Sequence, residues 1–237
     1  MTEKREFAWP EKYVDPFQKA TAPDENWVFN ACMDKRPSWH RYADGYRTGA
    51  TLMFRYLAMT GEREHNDVVV YPIIFCWRHY LELALKHSVR MVRVLTSTEG
   101  TAKLNEHRLM SLWEELRPHL PDLGASRNDI KVVTRTIQYL ARFDPESLAF
   151  RYPTDQEGNS TQEDVPSLIN LRALHETMEG IANWLDAGIS EMTERLSVEA
   201  ELQAQYESEM EAEYEAEMEA EYGSDGDCDE GNDNGEG

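Results

Sequence analysis

Residues 68–87, VVVYPIIFCWRHYLELALKH, place Arg78, His79 and Glu82 inside an otherwise apolar run, and that conflict limits what the chain can fold into. The apolar residues recur at three- and four-residue spacing, the signature of a core helix. Asp67 can cap it, Pro72 fits its first turn or two, and Thr96–Gly100 stops it after about Leu95. At about 100° per residue, Ile74, Leu81, Leu85, Val89 and Val92 all fall within roughly 60° of Arg78. Arg78 therefore sits on the core face, while His79, Glu82, Lys86, Arg90 and Arg93 form a separate polar stripe. Burying an unpaired guanidinium is prohibitively expensive, so Arg78 requires a carboxylate or several carbonyls. Glu82, four residues on, is the nearest carboxylate in sequence and can also reach His79. An acid from another helix or a loop is the alternative partner. The cluster reads either as polar glue that fixes helix docking or as an arginine lining a cleft for phosphate or RNA.

The remaining periodicities predict an all-α chain, an antiparallel bundle of about five helices. A first helix covers 41–60, where Gly45 and Gly49 are expected to admit another backbone and Gly61 to stop the helix. A short helix over 107–116 begins at His107, which caps it or points into the Arg78 cleft. A fourth helix, capped by Ser126 or Asn128, carries Ile130, Val133, Ile137 and Leu140 on one stripe. A long loop follows, with room for a short hairpin. Within it, Pro153 predicts extended backbone at FRYP, so Phe150 and Tyr152 face one way and Arg151 the other, lidding the bundle near Arg78. A fifth helix is expected from Ser167.

Charge divides the 237 residues unevenly. All 24 Lys and Arg precede residue 196. Residues 1–198 hold 29 acids, a net of −5, and residues 199–237 hold 16 acids and no cation. The organisation read from this is an irregular, aromatic-pinned arm over 1–38, a helical body over 39–198 and an acidic tail over 199–237. In the tail Tyr206, Met210, Tyr214, Met218 and Tyr222 recur every four residues, with Glu at every second position from 207 to 221. On a helix this sets Glu against Glu at i, i+4; on a strand it puts every Glu on one face. The expectation is a frayed extension of the fifth helix that dissolves into disorder by residue 224. The tail then either solubilises the chain or grips a basic partner through those Tyr and Met anchors.

Several classes are disfavoured. Cys32, Cys76 and Cys228 are far apart and make neither a disulfide framework nor a zinc knuckle. HxxxH and HExxH do not occur, and phosphate-cradling glycine loops are absent, so neither a metal nor a cofactor is expected. The first residues, MTEKREFAWPEK, have no signal pattern, and the longest apolar run is half a membrane span, so a cytoplasmic protein without a membrane is expected. RNA is not indicated by net charge, although a local basic patch would be compatible with it.

The run YPIIFCWRHYLELALKH, then HRLMSLW at His107, then FRYPTDQEG resembles bacterial helical proteins related to the HEPN superfamily, over roughly residues 41–190. The resemblance implies a helical bundle, homodimerisation, and either ribonuclease activity or a non-catalytic partner role, in a prokaryotic or phage defence setting. Active members carry Arg, four to six residues, then His. Here the nearest spacings are Arg36 to His40, Arg172 to His175 and Arg78 to His87, and none fits. Arg78 and Glu82 carry over as core-facing positions, and a catalytic role does not. The reading is a non-enzymatic HEPN-like binding or regulatory module. One alternative is a divergent metal-independent ribonuclease using Arg78, His79, Glu82 and His107. Another is an acidic-tail mimic of nucleic acid that inhibits a basic partner.

Overall fold

The computed structural model describes residues 38–61 and 63–222, the side chains of 63 and 220–222 excepted. The arm over 1–37, Cys32 and Cys228 lie outside the described residues, as do 223–237. The chain divides into two compact units, Met1–Ser38 and Trp39–Gly237. Among the described residues the fold is all-α: α1 (Trp39–Thr60), α2 (Arg63–Thr96), α3 (Leu109–Leu116), α4 (Arg127–Phe143) and α5 (Leu171–Tyr222), with a 3-10 turn over Arg117–His119.

α2 is the central helix and packs against α1, α3 and α5. Its apolar face supplies Ile73, Trp77, Leu81, Leu85 and Val89, each at most 1% exposed. Trp113, Leu112 and Leu116 of α3, Ile137 of α4 and Met178 of α5 close on the same core. Trp113 Nε1 donates to Thr134 Oγ1 at 3.0 Å and ties α3 to α4. α1 is tied to α5 by Arg47, which donates to Glu179 at 2.6 Å and Asp186 at 2.7 Å, and by Thr51, which donates to Glu179.

Several boundaries differ from those read in the sequence. α2 starts at Arg63, so Pro72 lies inside it rather than in its first turn. Pro72 and Val68 are both exposed, so water can take the carbonyl the proline leaves unbonded. α3 starts at Leu109 and leaves His107 in the connector. α4 takes Ser126 as its cap, whose Oγ accepts from Asp129 N at 3.1 Å. α5 begins at Leu171 rather than near Ser167, because Asn170 Oδ1 accepts from Ala173 N at 3.0 Å. In place of a hairpin, the loop has one isolated bridge, Thr154 to Ser160. Gly61 ends α1 with φ +64. Gly45 admits no close backbone: a Cβ there would meet nothing within 4 Å, and at Gly49 it would meet only Cys76 Sγ at 4.0 Å.

The largest difference is the tail. α5 is one helix of 52 residues that carries on through Tyr222. Ala, Glu, Gln, Leu and Met are strong helix formers, and their summed propensity outweighs Glu–Glu repulsions of a few tenths of a kcal/mol each. Gln203 and Gln205 donate to Glu207 and Glu209, each at 3.0 Å, and bridge the first of these rows.

Residues Glu64–Thr96 are long and apolar enough to cross a membrane by length and composition, with a mean hydropathy of 1.3 over 18 residues. Half of that window is buried inside the protein, which also suits the core helix of a bundle.

Candidate functional site

Arg78 is 0% exposed and Glu82 1%. Arg78 Nη1 donates to Glu82 Oε2 at 3.0 Å, one helical turn away. The other nitrogens leave α2: Nη2 donates to the His107 carbonyl at 2.6 Å, and Nε to the Asp144 carbonyl at 3.1 Å. Asp144 Oδ2 lies 3.4 Å from Arg78 Nε, an ion pair without a hydrogen bond. One guanidinium thus joins α2 to the connector before α3 and to the corner after α4.

Glu82 is used just as fully. Its Oε1 accepts from Lys86 Nζ at 2.8 Å and meets His107 Nδ1 at 2.8 Å. Burial pushes the Glu82 carboxyl up, but Lys86, His107 and Arg78 together hold it below the usual range, so it is ionised at neutral pH. Burial holds the Arg78 guanidinium below its ordinary value, and Asp144 and Glu82 offset only part of that. Lys86 is 5% exposed, so its charge too is spent inside the body.

His107 is the exception. Its carbonyl and Nδ1 are clamped, yet its side chain is 47% exposed. A partly exposed imidazole oriented by a buried carboxylate is the arrangement a general acid or base uses. His79 is half-buried, its ring packed edge-on to Tyr46 at 4.4 Å and stacked on Phe75 at 5.6 Å. Burial lowers its pKa, with Arg78, His107 and Lys86 adding to the effect and Glu82 opposing it, so the ring is neutral at pH 7.

The FRYP loop departs from the extended form. Arg151 N and Tyr152 N both donate to the Leu148 carbonyl at 3.0 Å, which makes a turn. Asp144 Oδ1 sets that turn by accepting from Leu148 N and Ala149 N, and Ser147 enters it with φ +61. Arg151 and Tyr152 therefore lie together rather than on opposite sides: the guanidinium sits 5.6 Å from the Tyr152 ring and 5.7 Å from Phe75. Arg151 Nε also donates to the Ser147 carbonyl. Two adjoining clefts, about 570 and 600 Å³, share Tyr71, Phe150 and Gln162 as walls; Arg151 and Tyr152 line the smaller one.

No family model, curated protein or solved structure matches this chain. The structure brings Arg78, Glu82 and His107 into one cluster, with His79 beside it. It also adds two members: Lys86, which lies on the polar stripe and pairs with Glu82, and Asp144. Lys86 was legible, lying four residues beyond Glu82 on the same stripe. Asp144 was not, because nothing in FDPES marks which way a residue after a helix end will turn.

The arm of α5 is the opposite environment. From Ser197 to Glu219 every side chain is exposed. Val198, Leu202, Tyr206, Met210, Tyr214 and Met218 form its apolar series, with Tyr206 and Tyr214 each 64% exposed. Tyr222 ends the helix, its side chain outside the described set.

Proposed function

We propose that this protein is a non-enzymatic, HEPN-like helical module that works by binding a protein partner through the arm of α5. The observation that carries the reading is the fully exposed stretch of α5 from Ser197 to Glu219, with large apolar side chains every four residues among glutamates. Monomer surfaces do not ordinarily leave a series of large apolar side chains uncovered, and the surrounding carboxylates select a basic partner. Arg78 supports the same reading from the other side, since it is fully buried and each of its three nitrogens donates to an internal acceptor. The test compares the full chain with one ending at residue 198, which keeps all the core-packed residues of α5 through Leu196. An immobilised Arg-rich peptide should retain the full chain and release the shortened one. Equal retention of both would end this reading.

The clamped, half-exposed His107 favours a second reading, a metal-independent ribonuclease. Total RNA incubated with the pure protein and with a His107→Ala variant decides between them. Cleavage by the parent alone establishes the enzyme, and intact RNA in both samples supports the binding module.

A further inference from the structure

The basic face of α4 complements the arm. Arg127, Lys131, Arg135 and Arg142 are all exposed. At about 100° per residue they fall within roughly 80° of one another, with Val132 and Tyr139 along one edge. Those two apolar side chains are 51% and 63% exposed. Arg47, Arg78, Lys86 and Arg93 are paired with carboxylates inside the body. Among the described residues, no ion pair falls on the four α4 cations. The single acid of α4, Asp129, accepts from Ser126 instead. In a chain of net charge −21, this is a concentrated cationic surface left without a counter-charge.

We propose that the α5 arm of one copy lies along this α4 face in a second copy. The inference rests on the arm-binding reading and names its partner. The spacings agree: Arg127, Lys131 and Arg135 recur every four residues, as do Glu207, Glu211, Glu215 and Glu219. Tyr206, Met210 and Tyr214 span a stripe of roughly 80° that Val132 and Tyr139 can meet. At 1.5 Å per residue the 17 residues of α4 extend about 25 Å, and residues 199–222 about 36 Å, so the arm covers the whole face. The arm leaves the body beside the start of α4, where Arg195 donates to the Asp122 carbonyl at 2.8 Å, and it continues as straight helix. It cannot fold back onto its own α4 without breaking that helix. Repulsion between two such chains originates mostly in the arms, because residues 1–198 carry only −5. The proposed contact sets the four α4 cations against the arm's carboxylates and so offsets part of the charge that would otherwise oppose it.

The experiment is a charge swap on the full chain, read by light scattering after size exclusion at low salt. The parent should be a dimer. Lys131→Glu with Arg135→Glu should weaken self-association at least about tenfold, as should Glu207→Lys with Glu211→Lys and Glu215→Lys. An equimolar mixture of the two variants should dimerise again, because the swapped positions on each arm then face residues of opposite charge on the partner's α4. Circular dichroism confirms that both variants remain helical. A monomeric parent that still binds the Arg-rich peptide overturns this inference and spares the arm reading; a parent that does neither overturns both. A dimer indifferent to both sets of substitutions also overturns it. So does a monomeric parent that retains an RNA oligonucleotide and loses it on Lys131→Glu with Arg135→Glu, which would assign the α4 face to nucleic acid.

Discussion

The middle of α2 and the far half of α5 are both charge-rich helix, and they handle charge in opposite ways. In α2, Arg78, Glu82 and Lys86 are at most 5% exposed and find their counter-charges within the body. In α5 the glutamates from 199 to 219 are all exposed and no cation follows Arg195. Residue types alone do not separate the two cases. The α2 charges share their helix with apolar faces that three other helices cover, so desolvation forces pairing. The arm has no such cover, and water solvates its charges. A buried network of this kind locks elements together, and an exposed one is left to meet a partner.

The comparison breaks most visibly at Arg78. Arg78→Met leaves Glu82 Oε2 and the carbonyls of Asp144 and His107 without their donor, and should lower stability by about 3–5 kcal/mol in urea unfolding. A loss below about 1 kcal/mol would mean that the cluster is not holding the corner together.

The next effect belongs to a second internal pair. Glu115 accepts from Arg93 at 2.7 and 3.1 Å and from Thr101 N and Ala102 N at 2.8 and 2.6 Å. The Arg93 hydrogen bond is the chief cause that holds its carboxyl down at about 2, from an ordinary 4.5. A depressed carboxyl stabilises the fold above its unfolded pKa and loses that contribution as pH falls from 4.5 towards 2. About 2–3 kcal/mol should disappear across that window, and Glu115→Gln should flatten that part of the stability profile. An unchanged profile in the variant would assign acid lability elsewhere.

Glycines sharpen the contrast between filled and open surroundings. Gly100, at φ +71, lies against Glu115 and Arg93, and a Cβ would run into Glu115 Oε1. Gly45 faces open space inside α1. Gly100→Ala should destabilise by about 1–2 kcal/mol, and Gly45→Ala should stabilise by about 0.5–1 kcal/mol, by thermal melts. The smallest effect is expected from removing the arm. A chain ending at residue 198 loses no core contact, so its unfolding free energy should stay within about 0.5 kcal/mol of the full chain. A larger drop would show that the arm stabilises the body.

Local pattern carried much of this fold. The three- and four-residue spacing of apolar side chains marks all five helices, because a helix with one oily face has to bury it. The i, i+4 reach from Arg78 to Glu82 is likewise set by helix geometry alone. Helix ends were less legible, since Asn170 rather than Ser167 caps α5 through a loop conformation that no spacing encodes. The tail was expected to extend the fifth helix, and how firmly it does so was less legible for a related reason. Its strict alternation of Glu with apolar residues fits a strand as well as a helix, and its like charges argue for fraying. Helix propensity, together with continuity from a docked α5, settles it as helix through Tyr222.

The sequence by itself determined that the protein is helical, that Arg78 faces inward, and that the acidic charge is gathered at one end. Only the tertiary structure decided that Asp144 and the His107 carbonyl complete the Arg78 cluster, that Arg151 joins Tyr152 over Phe75, and that the α4 cations form a face without an ion pair among the described residues. The division follows from range. Helix periodicity and i, i+4 contacts are fixed within a turn or two of one segment. Those other contacts join residues brought together by loops, whose course depends on how the whole core closes.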